Sequence, residues 1–382
     1  MTSQIFYGSE TDGPFKPLDE ATWLPQRAYT DEAVYEAELR SIFLKHWVGV
    51  FHHTALPKVG DFRTMTIAGR PLLFVRDQKR DIRCYLNICR HRGMAVAQGR
   101  GNCKGFVCPY HTWAYDLDGR VVATPQHDGS WAKGDVRLSE VKVDALLGYI
   151  FINFDPHAAP LSARLGGVAD ELAVWGNADL ELLFEKIYVC RFNWKLMWEN
   201  AIEAYHLLGT HRESLSEFTP VDMAYATIPQ DATNYGILHT GYKGAGLNAF
   251  GAQSRTASLI PNLPAWAAKE ARHYTMWPST QMSTGAESLN GFFILPGNSI
   301  DECQVVWSMA VSRAAKEHPD YAGYKAEQMA FADLIMKEDS VPCEQIEQTY
   351  RGCGDWKPGP YALTEKMCWY FHRWYLDKIG AH

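Results

Sequence analysis

Between Trp47 and Phe154 the apolar residues come in short runs, broken every few positions by turn-forming residues. Pro71-Leu-Leu-Phe-Val-Arg, Ile82-Arg-Cys-Tyr-Leu and Gly148-Tyr-Ile-Phe-Ile-Asn-Phe are such runs, and Asp118-Gly119 is a strong hairpin turn. This pattern predicts a small all-β domain. Past Asp155-Pro156 the period changes. Leu165 to Trp175 and Phe192 to Ser214 have helical spacing, and Asp320 to Asp339 and Glu365 to Ile379 read as further amphipathic helices. Strand-like runs such as Gly291-Phe-Phe-Ile-Leu-Pro and Gln304-Val-Val-Trp-Ser-Met-Ala-Val lie between Tyr225 and Arg313. A helix from Asp31 towards His46 precedes the β segment. The expected class is α+β in three parts: a helical segment over 1–45 packing on the larger domain, an all-β domain over 46–155, and a mixed domain over 156–382.

Composition narrows the partners. With 47% hydrophobic and 21% charged residues, the 382-residue chain is globular rather than disordered. Its 37 basic and 44 acidic residues give a net charge of -7 with no basic run, so nucleic acid and anionic membranes are not expected partners and a small molecule is. The longest apolar run, Ala145 to Ile152, is far short of the ~18 to 20 residues that cross a bilayer. The start, Met1-Thr-Ser-Gln-Ile-Phe-Tyr-Gly, does not read as a secretory signal, and the expected location is the cytoplasm. Nine cysteines in a reducing compartment are buried thiols or metal ligands rather than a disulfide framework.

Two groups of candidate metal ligands follow. The first is Cys89-Arg-His91, then sixteen residues, then Cys108-Pro-Tyr-His111, each pair on a loop between predicted strands. Two thiolates and two imidazoles hold either a tetrahedral zinc or a [2Fe-2S] cluster with two Cys on one iron and two His on the other. Cys-x-His puts two ligand types side by side on one tight loop. That is unusual for a zinc finger and suits a cluster in which each loop gives a thiolate to one iron and an imidazole to the other. Cys84 and Cys103 fall outside the pattern and read as ordinary thiols. His52, His53 and His127 lack a partner at ligand spacing and read as surface or packing residues.

The second group lies in Asn193-Trp-Lys-Leu-Met-Trp-Glu-Asn-Ala-Ile-Glu-Ala-Tyr-His-Leu-Leu-Gly-Thr-His211. Glu203 and His206 share a face if the segment is helical. His211 stands about 140° from His206 on an unbroken helix, so one metal could not take both unless the helix loosens, and Gly209 is the expected place. Two His and one carboxylate on one face of an octahedron are the ligands of non-haem Fe(II) oxygenases.

Here the residues carry a resemblance. Cys-Arg-His-Arg-Gly from Cys89 and Cys-Pro-Tyr-His-Thr-Trp-Ala-Tyr-Asp-Leu-Asp-Gly from Cys108 resemble the two cluster loops of the Rieske-type oxygenases. Glu-Asn-x-x-Glu-x-Tyr-His-x4-His from Glu199 is similar to the iron-binding segment of their catalytic subunit. Lys337-Glu338-Asp339-Ser340-Val-Pro-Cys-Glu344 resembles the segment that supplies the third ligand, taken as Asp339, with Glu338 and Glu344 as alternatives. The stretches from Tyr361 and from Phe371 look like the C-terminus of the choline-monooxygenase-like branch. The resemblance runs from Leu24 to Ile379.

It implies an all-β Rieske [2Fe-2S] domain inserted into a helix-grip catalytic domain. O2 would be activated at one Fe(II) held by His206, His211 and Asp339. Electrons would come from NAD(P)H through a separate reductase, with or without a ferredoxin, by way of a cluster on Cys89, His91, Cys108 and His111. Gly241-Tyr-Lys-Gly-Ala-Gly lacks the surroundings of a dinucleotide site, in keeping with a separate donor. The resemblance also implies a cyclic homotrimer in which Glu203 bridges His ligands of neighbouring subunits. Glu at that position goes with members acting on quaternary ammonium compounds. The expected function is hydroxylation or demethylation of a small quaternary ammonium or amine substrate, the alternative being an aromatic compound or aromatic acid. A zinc-binding or electron-carrier protein is the reading from another class, and the second ligand set argues against it. Trp277, Trp307 and Tyr274 form either a cation-binding box or part of the core.

Overall fold

The computed structural model of the chain describes residues 11–127, 135–176, 179–229, 234–243, 260–354 and 356–380. Gly244, Ala245 and Gly246 of the glycine-containing run lie outside them. Ten short strands follow one another in the predicted β segment: β1 (Val48–His52), β2 (Asp61–Ile67), β3 (Arg70–Arg76), β4 (Ile82–Leu86), β5 (Arg100–Asn102), β6 (Phe106–Val107), β7 (Ala114–Tyr115), β8 (Val121–Ala123), β9 (Glu140–Leu146) and β10 (Tyr149–Asn153). Seven form an antiparallel sheet in the order β1-β10-β9-β4-β3-β2-β5, and β6-β7-β8 make a small second one. Gly119 turns β7 into β8 at φ 74°, where a Cβ would also meet the Tyr85 ring at 2.8 Å.

The mixed part contains a second seven-stranded antiparallel sheet. Its strands are β11 (Leu180–Cys190), β12 (Ala224–Thr227), β13 (Tyr235–Gly241), β14 (Glu270–Met276), β15 (Thr280–Thr284), β16 (Ser288–Pro296) and β17 (Cys303–Ser312). The order β11-β17-β16-β15-β14-β13-β12 is a meander closed at one edge by β11. Helix Trp194–Ala201 packs on β16 and against the long helix Tyr321–Gly352, which also contacts β11. The α+β class and its helix-grip arrangement are thus as expected. Among the described residues no helix is long and apolar enough to cross a membrane.

The helices depart from the sequence reading at their boundaries. The expected single helix over Phe192 to Ser214 is an α-helix only to Ala201, capped by the Asn193 side chain, and resumes as a 3-10 turn over Tyr205–Leu208. Leu165 to Trp175 becomes two single turns, Val168–Glu171 and Ala173–Gly176. The helix begun at Asp31 runs as Glu32–Glu38 and then widens into a π-turn over Leu39–Phe43. The helix expected to end at Asp339 continues through Pro342 to Gly352. Pro342 removes the helical donor to the Glu338 carbonyl and crowds that carbonyl, yet the helix runs on past it. Beyond it Cys343 is buried, and the Glu347 carboxylate accepts the Asn193 backbone N–H at 3.0 Å.

The N-terminal segment is fastened to the mixed domain by a buried charge cluster. Glu38 and Lys195 are both fully buried and paired at 2.5 Å, and Trp194 and Tyr375 each donate to Glu38 at 2.7 Å. The rings of Tyr29, Trp194 and Tyr375 surround the Lys195 ammonium at 5.2 to 5.4 Å. Burial pulls that ammonium below its ordinary pKa while Glu38 pulls it back.

The two sheets meet at close quarters. Gly49 of β1 donates its N–H to Ser279 Oγ at 3.0 Å, and a Cβ there would fall 2.4 Å from Thr280 Oγ1 and 2.5 Å from the Phe293 ring. Tyr149 of β10 donates to the Leu289 carbonyl at 2.9 Å. At the same junction Arg63 of β2 donates twice from Nη1 to the Glu185 carboxylate of β11, at 2.8 and 2.9 Å, with side chains only 2% and 4% exposed. Removing one partner of such a pair strands the other charge in the interior. Glu185→Ala should therefore cost about 3 to 5 kcal/mol in chemical denaturation, whereas replacing Arg63 and Glu185 together by Met and Leu should cost far less. Equal losses from the single and double changes would show that the pair does not act as a unit.

Candidate active site and metal centres

The two Cys/His loops are built alike although their spacings differ. Around Cys89 the Gly93 N–H returns to the Cys89 carbonyl at 2.9 Å, and the Cys89 N–H goes to Met94 at 2.8 Å. Around Cys108 the Thr112 N–H returns to Cys108 at 3.0 Å, and the Cys108 N–H goes to Trp113 at 2.9 Å. Each turn closes on a left-handed residue four positions past its cysteine, Gly93 at φ 82° and Thr112 at φ 57°. The second is not a glycine, and Thr112 Oγ1 donates to the His111 carbonyl at 2.8 Å.

The result segregates the ligand types. Cys89 and Cys108 are buried in a small separate core with Tyr115 and Trp113. Cys89 Sγ lies 3.1 Å from the Tyr115 hydroxyl, which also accepts the Arg90 N–H at 3.0 Å. His91 and His111 stand outward, rings 4.6 Å apart, with His91 stacked on Trp113 at 5.0 Å. Two thiols inside and two imidazoles at the rim fit a cluster with one thiolate-bound and one imidazole-bound iron. Cys84 is buried in the large core, and Cys103 packs, partly buried, against the small one. His52 is packed against Tyr149 and His127 is exposed, in line with the sequence reading.

The second group converges from elements far apart in the chain. His211 Nε2 lies 2.7 Å from Asp339 Oδ1 and His206 Nε2 3.7 Å from the same oxygen. One ligand atom from each of the three residues lies within 4.8 Å of the others. The outer ring nitrogens are also held: His206 Nδ1 by Glu203 Oε1 at 2.6 Å, and His211 Nδ1 by Glu338 Oε2 at 2.7 Å. A carboxylate on Nδ1 accepts the ring N–H there, so that Nε2 is the nitrogen that would offer its lone pair to a bound metal. Burial pulls the His211 imidazole down, but Asp339 and Glu338 outweigh it and hold the ring above its ordinary pKa.

The local chain path differs from the one expected. The α-helix already breaks at Ile202, before Glu203, and the 3-10 turn that carries His206 then ends at Gly209, the expected place. Glu203 Oε2 accepts the backbone N–H groups of Tyr205 and of His206, the latter at 3.0 Å, and so caps the 3-10 turn while its other oxygen holds the His206 ring. The end of that turn at Gly209, between the two histidines, lets His206 and His211 present edge-to-face rings 5.1 Å apart. Glu338, an alternative ligand in the sequence reading, is turned to the far side of His211 and also accepts from Ser214 Oγ at 2.7 Å. Adjacent helix positions point about 100° apart, which lets Glu338 and Asp339 grip opposite sides of one ring. Glu344 takes no part. The helical adjacency of the two acids was visible in the sequence; the position of Ser214 was not.

A cavity of about 130 Å³ opens beside these donors. Its helical wall carries His206, His211, Asp339, Leu207, Leu215 and Ile335, and its sheet wall Thr240, His273, Ser283, Asn290, Phe292 and Trp307. The three aromatics considered as a cation box separate: Trp307 lines the cavity, Trp277 stacks on Phe371 and Trp374, and Tyr274 is buried with its hydroxyl on Glu171. Alternation along β14 sends Tyr274 and His273 to opposite faces. An outer groove lies beyond, lined by Trp23, Ile346 and Trp356, and Glu203 and His206 border both spaces.

Comparison with known proteins finds relatives for both parts of the chain. Residues 46–142 match the Rieske [2Fe-2S] domain, and residues 171–381 match the ring hydroxylating alpha subunit (catalytic domain). The chain is 28% identical to the biphenyl 2,3-dioxygenase subunit alpha of Rhodococcus jostii (strain RHA1), over 88% of this chain and 80% of that one. It is 31% identical to the carnitine monooxygenase oxygenase subunit of Escherichia coli (strain K12), over 55% of this chain and 57% of that one. In structure it is similar to a quaternary ammonium Rieske monooxygenase, with a TM-score of 0.80 and 22% identity over 98% of both chains. With the catalytic-domain match extending over more than half of its length, the chain belongs to the Rieske oxygenase alpha-subunit family, a Rieske [2Fe-2S] domain joined to a ring-hydroxylating catalytic domain.

Proposed function

We propose that this protein is the terminal oxygenase of a multicomponent system that hydroxylates or oxidatively demethylates a small quaternary ammonium or amine substrate. The observation that carries the oxygenase reading is the inward-facing set of His206, His211 and Asp339 beside a cavity, each imidazole fixed by its own outer carboxylate. In this reading residues 46–155 hold the cluster through Cys89, His91, Cys108 and His111, and residues 156–382 hold Fe(II) through His206, His211 and Asp339. Iron held there supplies the one-electron chemistry that dioxygen needs to react with a closed-shell organic molecule. Glu203 and Glu338 set the ring tautomers, and Leu207, Leu215 and Ile335 keep the wall beside the donors apolar.

The substrate class rests on Glu203 and on relatives. These include the carnitine monooxygenase subunit and the glycine betaine monooxygenase oxygenase subunit of Chromohalobacter salexigens, 34% identical over 53% of this chain and 47% of that one. The biphenyl dioxygenase relative supports an aromatic substrate as the second reading, because its alignment covers more of this chain. Oxygen uptake by the holoenzyme with a reductase, across betaines, amines and aromatic compounds, decides between them. Aldehyde release from an N-methyl substrate supports the first; coupled uptake with an aromatic substrate alone overturns it.

Electron entry follows from the position of Glu203 and His206 between the inner cavity and the outer groove. Around that groove Tyr205, Leu208, Val341 and Ile346 are exposed, and around the His91/His111 rim so are Met94, Val107 and Tyr110. Two exposed apolar surfaces, each beside one metal site, suit a cyclic homotrimer. In it Glu203 lies between His206 and His111 of the partner subunit.

Iron analysis should give about three irons per chain. Cys108→Ser should abolish the visible spectrum and keep the mononuclear iron, and His206→Ala should do the reverse; a full spectrum in Cys108→Ser refutes the cluster assignment. Glu203→Gln should load both centres and accept electrons into the cluster, yet turn over ~10 to 100-fold more slowly. Near-normal turnover, or an active monomer in sedimentation, would exclude the bridge. Glu338→Ala should weaken iron retention by a similar ~10 to 100-fold in a chelator competition, through loss of its hold on His211.

A further inference from the structure

We infer that the sheet wall of the cavity recognises a neutral oxygen function of the substrate, a hydroxyl or a carbonyl, through the hydroxyls of Thr240 and Ser283 on either side of His273. This rests on the oxygenase reading, in that the molecule bound here is its substrate.

Three adjacent strands build the arrangement. His273 of β14 stands directly opposite Ser283 of β15 and opposite Leu238 of β13, so Thr240, two residues on, lies diagonally across on the same face. His273 Nδ1 is 2.7 Å from Ser283 Oγ, and His273 Nε2 is 2.9 Å from Thr240 Oγ1. Both hydroxyl residues are more than nine-tenths buried, at 8% and 6% exposed, and all three line the cavity. Burial, reinforced by nearby His239, lowers the His273 imidazole to about 4, so the ring is neutral at physiological pH.

Counting protons gives the recognition rule. A neutral imidazole has one N–H and one lone pair. One hydroxyl must therefore donate to the ring, while the other accepts the ring N–H and keeps its own proton. Among the described residues neither hydroxyl has a further partner, so in either tautomer one buried O–H is left to donate into the cavity. A buried donor without an acceptor is unfavourable, and a ligand oxygen placed there relieves it. The other hydroxyl still has a lone pair, so a ligand hydroxyl can also give its own proton back.

Charge selects the kind of oxygen. The described lining residues include no Lys or Arg, and the ionisable acids among them are Glu203 and Asp339. A carboxylate would enter with one neutral donor for a full negative charge, which does not replace its hydration. A hydroxyl or carbonyl loses much less. Phe292 and Trp307, edge to face at 5.6 Å, cover the hydrocarbon part on the same wall. Held by this wall, the rest of the molecule faces the helical wall that carries His206, His211 and Asp339.

The test is calorimetric binding to the holoenzyme of two matched pairs, choline against glycine betaine and benzyl alcohol against benzoate. In at least one pair the alcohol should bind about tenfold or more tightly than its carboxylate counterpart, the size of one well-made buried hydrogen bond. Thr240→Val and Ser283→Ala, singly and together, should erase that preference by weakening the alcohol alone, with the visible cluster spectrum kept as the check on folding. Carboxylates binding as tightly as alcohols, a preference untouched by the double variant, or no alcohol binding at all would each overturn the inference. Oxygen uptake with the same probes is scored separately. An alcohol that binds through these hydroxyls yet stimulates no uptake leaves the recognition intact and counts against the oxygenase function.

Discussion

The inner site depends on holding two imidazoles and a carboxylate closer together than separate solvated groups would stay. His211 is clasped between Glu338 and Asp339, both nitrogens engaged at 2.7 Å, and His206 is held from behind by Glu203. The carboxylates in turn are anchored. Glu203 is fixed by backbone N–H groups and Glu338 by Ser214, so neither can swing away without giving up a buried partner. The break in the helix after Ala201 and the run of the long helix through Pro342 both serve that convergence. One ends the helical run in which the two histidines would point about 140° apart, and the other extends the scaffold past the two acids.

The first sheet is fixed to the second by contacts that tolerate little change. Gly49 admits no side chain, Tyr149 reaches across to a backbone carbonyl, and Arg63 and Glu185 pair out of water, with Arg100 joining Glu185 from the surface. A buried ion pair of this kind is costly to break by removing one partner, because the other charge is left unpaired. Here it links β2, which pairs with β5 beyond the first cluster loop, to the edge strand β11 of the catalytic sheet. The Glu38–Lys195 pair does the same for the N-terminal segment, joining it to the helix that leads into the iron-binding turn.

The two walls of the cavity have different physical character. The helical wall presents ionisable donors, each tied to a partner, and the sheet wall presents neutral hydroxyls and an imidazole kept neutral by burial. Glu203 and His206 belong to both the cavity and the outer groove, so a change at the outer surface reaches the donor set through a single residue. That short connection explains why the same glutamate can both cap a turn and orient a ring.

By itself the sequence determined the fold class, the position of the β segment and the spacing of the two ligand motifs, because these depend on local pattern and on residue types with few alternative uses, whereas Asp339 was singled out only by the likeness of its segment to a known family. Cys89-x-His91 and Cys108-x-x-His111 sit on tight turns whatever surrounds them, and their backbone hydrogen bonds stay within six residues. Only the tertiary structure decided where the helices end. Ile202 is fully buried and carries no break signal, while Pro342 carries one that packing overrides. It also decided that Glu338 serves His211 from outside, since which side of a ring an acid meets depends on the crossing of two elements 127 residues apart. The pairing of His273 with Thr240 and Ser283 was equally beyond reach, because strand register sets it and no local pattern in three separate strands encodes that register. The dispersal of Trp277, Trp307 and Tyr274 has the same cause: alternation on a strand fixes that neighbours part company, but only the packed sheet fixes which face becomes the cavity.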